Sequence, residues 1–220
     1  KIFLLAIIVG VLVAYAAISF RMLFELIQEL LFNFPLSISL QNLSKIPWWV
    51  LLIVPSLGGL FVGILIHILL PNHKPLGVAD VIAAGAINRG RMSLSLTIKG
   101  AIINSVSIGV GASVGREGPI IHLGAGFASW IAKKTALSPA LSLTILGCGV
   151  ASAIGASFNA PIAGVFFALE VVIGHYALHT FTPIVISSVA GTLVSRIHFG
   201  DYPAFLIPEY SIASFFEFPA

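Results

Sequence analysis

Gly115-Arg116-Glu117-Gly118-Pro119 sets a carboxylate between two glycines and ahead of a proline, with apolar segments on both sides. Glu117 is the only acidic residue between Val81 and Leu169. Proline suits the first turn of a helix, where its missing N–H is not needed. Gly115 and Gly118 permit tight or left-handed backbone. The five residues therefore predict a loop entering a helix N-terminus, with free amides and the positive end of the helix dipole directed at one point. Such a point binds anions. Glu117 can itself be the anion. When ionised it occupies the amide site, and when displaced or protonated it releases the site, which makes it a candidate gate. The alternative is that Glu117 pairs with Arg116 or caps its own helix and does nothing more.

Around this loop the chain is made for lipid. Of 220 residues 58% are hydrophobic and only 9% charged, with a mean hydropathy of +1.08. A soluble domain carries about 25% charged residues to cover its surface. From Thr135 to Ser195 the sole charged side chain is Glu170. The net charge of +3 is dispersed, with no basic block to suggest nucleic acid. Lone Cys148 excludes a disulfide framework. The apolar run after Lys1 continues to Phe20 without a cleavage site, so it predicts a first membrane helix and not a signal peptide.

These features predict an all-α, multi-pass integral membrane protein with the lipid bilayer as its surroundings. Its helices are unequal: a long tilted one over 1–34, a second span over 47–71 headed by Trp48 and Trp49, and a short inner helix over 76–86. Next come a span over 92–114, the gate loop and its helix over 115–134, two short helices within 139–173, and a last span over 180–198. A segment of about ten residues cannot cross roughly 30 Å of hydrocarbon. Half-length helices joined at Gly/Pro breaks are how transporters bring irregular backbone to the membrane midplane. Lys74, Arg89, Arg91 and Lys99 outnumber Lys45, so the positive-inside rule puts the 71–91 turn in the cytoplasm.

GREGP at 115–119, with Ser157-Phe158-Asn159-Ala160-Pro161-Ile162-Ala163-Gly164 and then Glu170 after it, resembles the CLC family of chloride channels and chloride/proton exchangers. The resemblance runs from Lys1 to about Gly200. It implies the first half of an inverted-repeat fold, chloride as the transported ligand without a cofactor, a homodimer with one pore per subunit, and a cell-membrane location. It also implies that the chain is part of something longer, since the second half's anion loop and pore tyrosine are not found in it.

The same resemblance extends the anion-binding set beyond Gly115, Arg116, Gly118 and Pro119 to an inner loop, where the family reads Gly-Ser-Gly-Ile-Pro. The aligned residues are Pro75, Leu76, Gly77, Val78 and Ala79. Leu76 replaces the serine hydroxyl, and Pro75 has no amide hydrogen; the amides from Leu76 to Val78 remain. Either the inner site has fewer donors, or Leu76 faces core or lipid. Family exchangers also carry an inward glutamate at the position of Val171, which is not ionisable. Passive conduction gated by Glu117 is the leading expectation, with a proton-coupled exchanger as the alternative.

Other residues carry less. His175 and His179 have an i, i+4 spacing without a third ligand, so no metal site is expected. His122, one turn beyond Glu117, either tunes the carboxyl or binds a carbonyl. An intramembrane protease would need an Asp–Asp or Ser–His pair. Asp80 is the only aspartate before Asp201, and no nucleophile motif surrounds any serine. No enzymatic activity is expected.

Overall fold

A computed structural model describes residues 1–32, 46–71, 73–174 and 176–200. Lys45, His175 and the tail after Gly200 lie outside the described residues. The described residues are helical: α1 Ile2–Phe32, α2 Trp48–Leu69, α3 Val78–Ala86, α4 Leu94–Gly109, α5 Glu117–Lys134, α6 Pro139–Phe158 and α7 Pro161–Phe167. A π-helical stretch, Ala168–Ile173, continues α7, and α8 spans Leu178–Phe199. Four of these helices (α1, α2, α6 and α8) are long and apolar enough to cross a membrane.

Helix α1 has 31 residues, about 46 Å at 1.5 Å per residue, more than the hydrocarbon thickness and so a length that favours tilt. Within its polar C-terminal part Arg21 Nε donates to Glu25 Oε1 at 2.8 Å. The expected span over 92–114 is shorter in the structure. Helix α4 starts after Ser93 and ends at Gly109, and Gly111 turns the chain with φ 89°. Sixteen residues reach only about 24 Å. Beyond that turn the chain enters the loop that carries Glu117.

The two short helices expected within 139–173 are instead one 20-residue helix and a short one. Gly155 does not break α6. A Cβ there would lie 2.6 Å from Thr192 Oγ1, so the glycine allows α8 to approach. The break falls at Asn159, in the left-handed region with φ 53°, and Pro161 then occupies the first turn of α7.

Helix α6 is the centre of the fold, packed on α5, α1 and α8 and mostly buried. Between membrane helices the hydrophobic drive is weak, so close backbone approach and interhelical hydrogen bonds hold the contacts. A Cβ on Gly124 of α5 would stand 2.5 Å from the Gly149 carbonyl oxygen of α6. Ser152 donates to the Gly10 carbonyl at 2.8 Å, Ser187 to that of Cys148 at 3.0 Å, and Ser195 to that of Ala156 at 2.6 Å. Those bonds tie α1 and α8 to α6 and so fix the platform from which α5 presents its N-terminus.

Candidate functional site

Glu117 is the first residue of α5 and Pro119 lies in its first turn. The helical ladder begins where the Ile120 N–H donates to the Arg116 carbonyl at 3.2 Å. The N–H groups of Glu117 and Gly118 precede that ladder, as in any helix start. The Glu117 side chain folds back over the loop: its Oε2 occupies the space that a Cβ on Gly115 would need. Gly115 thus acts by absence of a side chain. Its φ is not in the left-handed region, so room for the carboxylate, and not backbone freedom, is what the glycine supplies. Glu117 is exposed in the described chain.

Arg116, though adjacent, sends its guanidinium elsewhere, 4.9 Å above the Phe158 ring, in a crevice shared with Arg21, Phe24, Ser157 and Phe199. Its charge therefore lies on the α6 and α8 side of the loop. What Arg116 offers at the loop itself is its backbone.

The inner loop meets this loop directly. A Cβ on Gly118 would lie 3.9 Å from the Gly77 Cα, and Gly77 is the residue immediately before α3. Two helix N-termini, those of α3 and α5, thus face a common space. Around Gly77 itself a Cβ would meet nothing within 4 Å.

The inner amides differ from the expectation in one respect. The Gly77 N–H donates to Asp80 Oδ2 at 2.8 Å, so one of the three amides is already taken by a carboxylate of the same helix. An acid three residues after the cap is the position from which a side chain reaches back to the cap N–H, and Gly77 with Asp80 carried that signal in the sequence. Leu76 turns toward α4, where its Cδ1 would be 3.2 Å from a Cβ on Gly100, and it packs on the cluster of Val62, Leu70 and Ile103. Its side chain therefore serves helix packing, the second of the two readings open to it. Val78 begins α3 and packs half-buried on the main core.

Val171 lies in the π-helical stretch, half-buried against the main core, while neighbouring Glu170 is exposed. There the Gly174 N–H donates to the Leu169 carbonyl at 2.8 Å, an i→i+5 bond. The sequence offered no sign of it; π segments recur at functional sites. His122 is buried on α5 at 4% exposure. Helix α8 begins at Leu178, so His179 sits in its first turn and is exposed.

A family model described as "Voltage gated chloride channel" matches residues 58–220. The "Putative chloride channel protein ClcB-like" of Ralstonia nicotianae is 31% identical over 176 residues, 78% of this chain and 41% of that protein. Chloride channel protein CLC-e of Arabidopsis thaliana is 31% identical over 180 residues, 78% of this chain and 25% of that protein. The voltage-gated ClC-type chloride channel ClcB of Escherichia coli is 30% identical over 196 residues, 88% of this chain and 46% of that protein. The chain thus spans less than half the length of these relatives. Among solved structures, a slow cyanobacterial Cl−/H+ antiporter superposes with a TM-score of 0.71 at 18% identity, over 97% of this chain and 50% of that one. A eukaryotic CLC transporter gives 0.74 at 20% identity, over 89% of this chain and 38% of that one. At such identities the likeness is one of fold.

Proposed function

From the premise that this chain belongs to the voltage-gated chloride channel (CLC) family, we propose that it forms the Glu117-gated part of a chloride pathway with passive, channel-type conduction. The observation that carries this reading is the Glu117 carboxylate folded over Gly115, at the N-terminus of α5 and next to that of α3. A carboxylate held there competes with a permeating anion for the same amides and dipoles. Protonation removes its charge and its claim on the site. An acidic side chain at membrane depth is otherwise costly, by a few kcal/mol or more. The backbone of Gly115, Arg116, Gly118, Leu76 and Val78 would line the pathway. Pro119 shapes the helix start, and the cell membrane, a second copy of the protein and the bilayer are its setting.

Val171 favours conduction over exchange, because an apolar side chain stands where family exchangers carry an inner glutamate. A chloride/proton antiporter is the second reading. It draws on His122, an imidazole buried on α5 about one turn beyond Glu117. Vesicles loaded with chloride, with an electrode for each ion outside, test both readings. Chloride efflux without proton movement is expected. Absence of chloride flux refutes the transport reading, and proton uptake at a fixed ratio promotes the antiporter.

A further inference from the structure

The turn between α3 and α4 is docked on the last turns of α5 and the first turn of α6. The Met92 N–H donates to Ser129 Oγ at 2.7 Å, one turn before the end of α5. A Cβ on Gly90 would lie 3.2 Å from the Ser142 carbonyl, and Ser142 Oγ in turn donates to the Leu137 carbonyl at 3.4 Å. Arg89 and Arg91 flank Gly90, while Lys133 and Lys134 close α5. This packing gathers two arginines and two lysines on one rim of the molecule, and all four are exposed. Among the described residues none of them forms an ion pair. Asp80 sits at the far end of α3 and Glu117 at the far end of α5, while Glu170 lies on the π segment.

The helix dipole explains only half of this. Lysines in the last turn of α5 suit the negative helix end, but Arg89 and Arg91 lie outside any helix. Arg89 sits in the left-handed region (φ 53°) beside Gly90 (φ 74°), so the turn is tight and holds both flanking side chains outside the packing. A second, independent feature marks the depth of this rim. Trp130, on α5 one turn before Lys133 and Lys134, is 37% exposed. An exposed tryptophan on a membrane helix favours the headgroup level, where its ring is half in apolar and half in polar surroundings.

We propose that the rim formed by Arg89, Arg91, Lys133 and Lys134, with Trp130 beside it, binds the phosphate headgroups of anionic phospholipids in the leaflet it faces. The charge complementarity is direct: four exposed cations, with no ion pair among the described residues, meet a surface of phosphates. Arginine grips a phosphate through two parallel N–H donors and lysine through a point charge. Each juxtamembrane cation favours an anionic surface by roughly fivefold. The binding is independent of whether the pathway conducts.

Trp130 serves as the reporter. In the full-length protein every other tryptophan is replaced by phenylalanine, and the protein is reconstituted in phosphatidylcholine vesicles. Either 20 mol % of the phosphatidylcholine or the same amount of added phosphatidylglycerol carries acyl-chain bromine. Stronger quenching by brominated phosphatidylglycerol, several-fold over brominated phosphatidylcholine and weakened by salt, is expected. The Arg89→Gln/Arg91→Gln and Lys133→Gln/Lys134→Gln double variants should each lose part of the preference, and their combination should abolish it. Lys133→Arg/Lys134→Arg should retain it, which separates charge from a packing defect. Unchanged circular dichroism shows that each variant is folded. Equal quenching by the two lipids overturns the proposal, as does a preference that survives removal of all four charges in a folded protein.

Discussion

Gly77 and Gly118 face each other so closely that a Cβ on Gly118 would stand 3.9 Å from the Gly77 Cα, bringing the starts of α3 and α5 together. The two helices carry their positive ends to one place, and the Glu117 side chain folds over the loop at the α5 start. The consequences of this arrangement can be measured.

Glu117→Gln keeps the shape and removes the charge. A neutral amide competes poorly for the N–H groups, so chloride flux in vesicles should rise and lose most of its pH dependence. In the unaltered protein flux should increase as pH falls, because the protonated carboxyl no longer holds the site as an anion. Equal flux and an equal pH response in the variant would remove Glu117 from gating.

Gly115→Ala separates position from charge. The added methyl takes the space of Glu117 Oε2, while the backbone tolerates alanine. Flux should rise as the carboxylate is displaced, yet the pH response should persist because the titrating group is still present. A Gly115→Ala protein whose flux and pH profile match the parent would show that the observed carboxylate position is irrelevant to conduction.

Leu76→Ser distinguishes the inner loop from the packing. Were the side chain directed into the pathway, a hydroxyl donor worth about 0.5–1.5 kcal/mol would strengthen chloride binding up to roughly tenfold. Because Leu76 packs against Gly100 and Ile103, we expect chloride affinity by calorimetry to change less than twofold. The melting temperature in detergent should fall, from lost packing of about 1–3 kcal/mol.

Chloride-driven proton uptake should be near zero, since Val171 offers no ionisable group. If uptake is found, His122→Phe, which removes the buried imidazole beyond Glu117, should abolish it. Uptake that survives this substitution would locate the proton route elsewhere.

Gly124→Ala tests the platform. The methyl would meet the Gly149 carbonyl at 2.5 Å and force α5 away from α6. Overpacking of this kind costs about 1–3 kcal/mol, read as a lower melting temperature, and it should alter flux as well because α5 carries Glu117.

The sequence by itself determined the membrane class, the number and unequal length of most helices, and the loop at 115–119, because each depends on local quantities. Charge scarcity over tens of residues excludes water as the solvent, and proline, glycine and a lone acid set the start of α5. The motifs around Asn159 also made the family legible. The tertiary structure decided what depends on neighbours distant in the chain. Gly155 shows which helix it admits only when α8 is seen against it. Leu76 is open to two readings until α4 supplies its packing partner. The α3–α5 encounter at Gly77 and Gly118, 41 residues apart in sequence, is likewise a product of packing. Glycine carries no side chain to announce its partner, so where two backbones approach is written in the packing and not in the residues themselves.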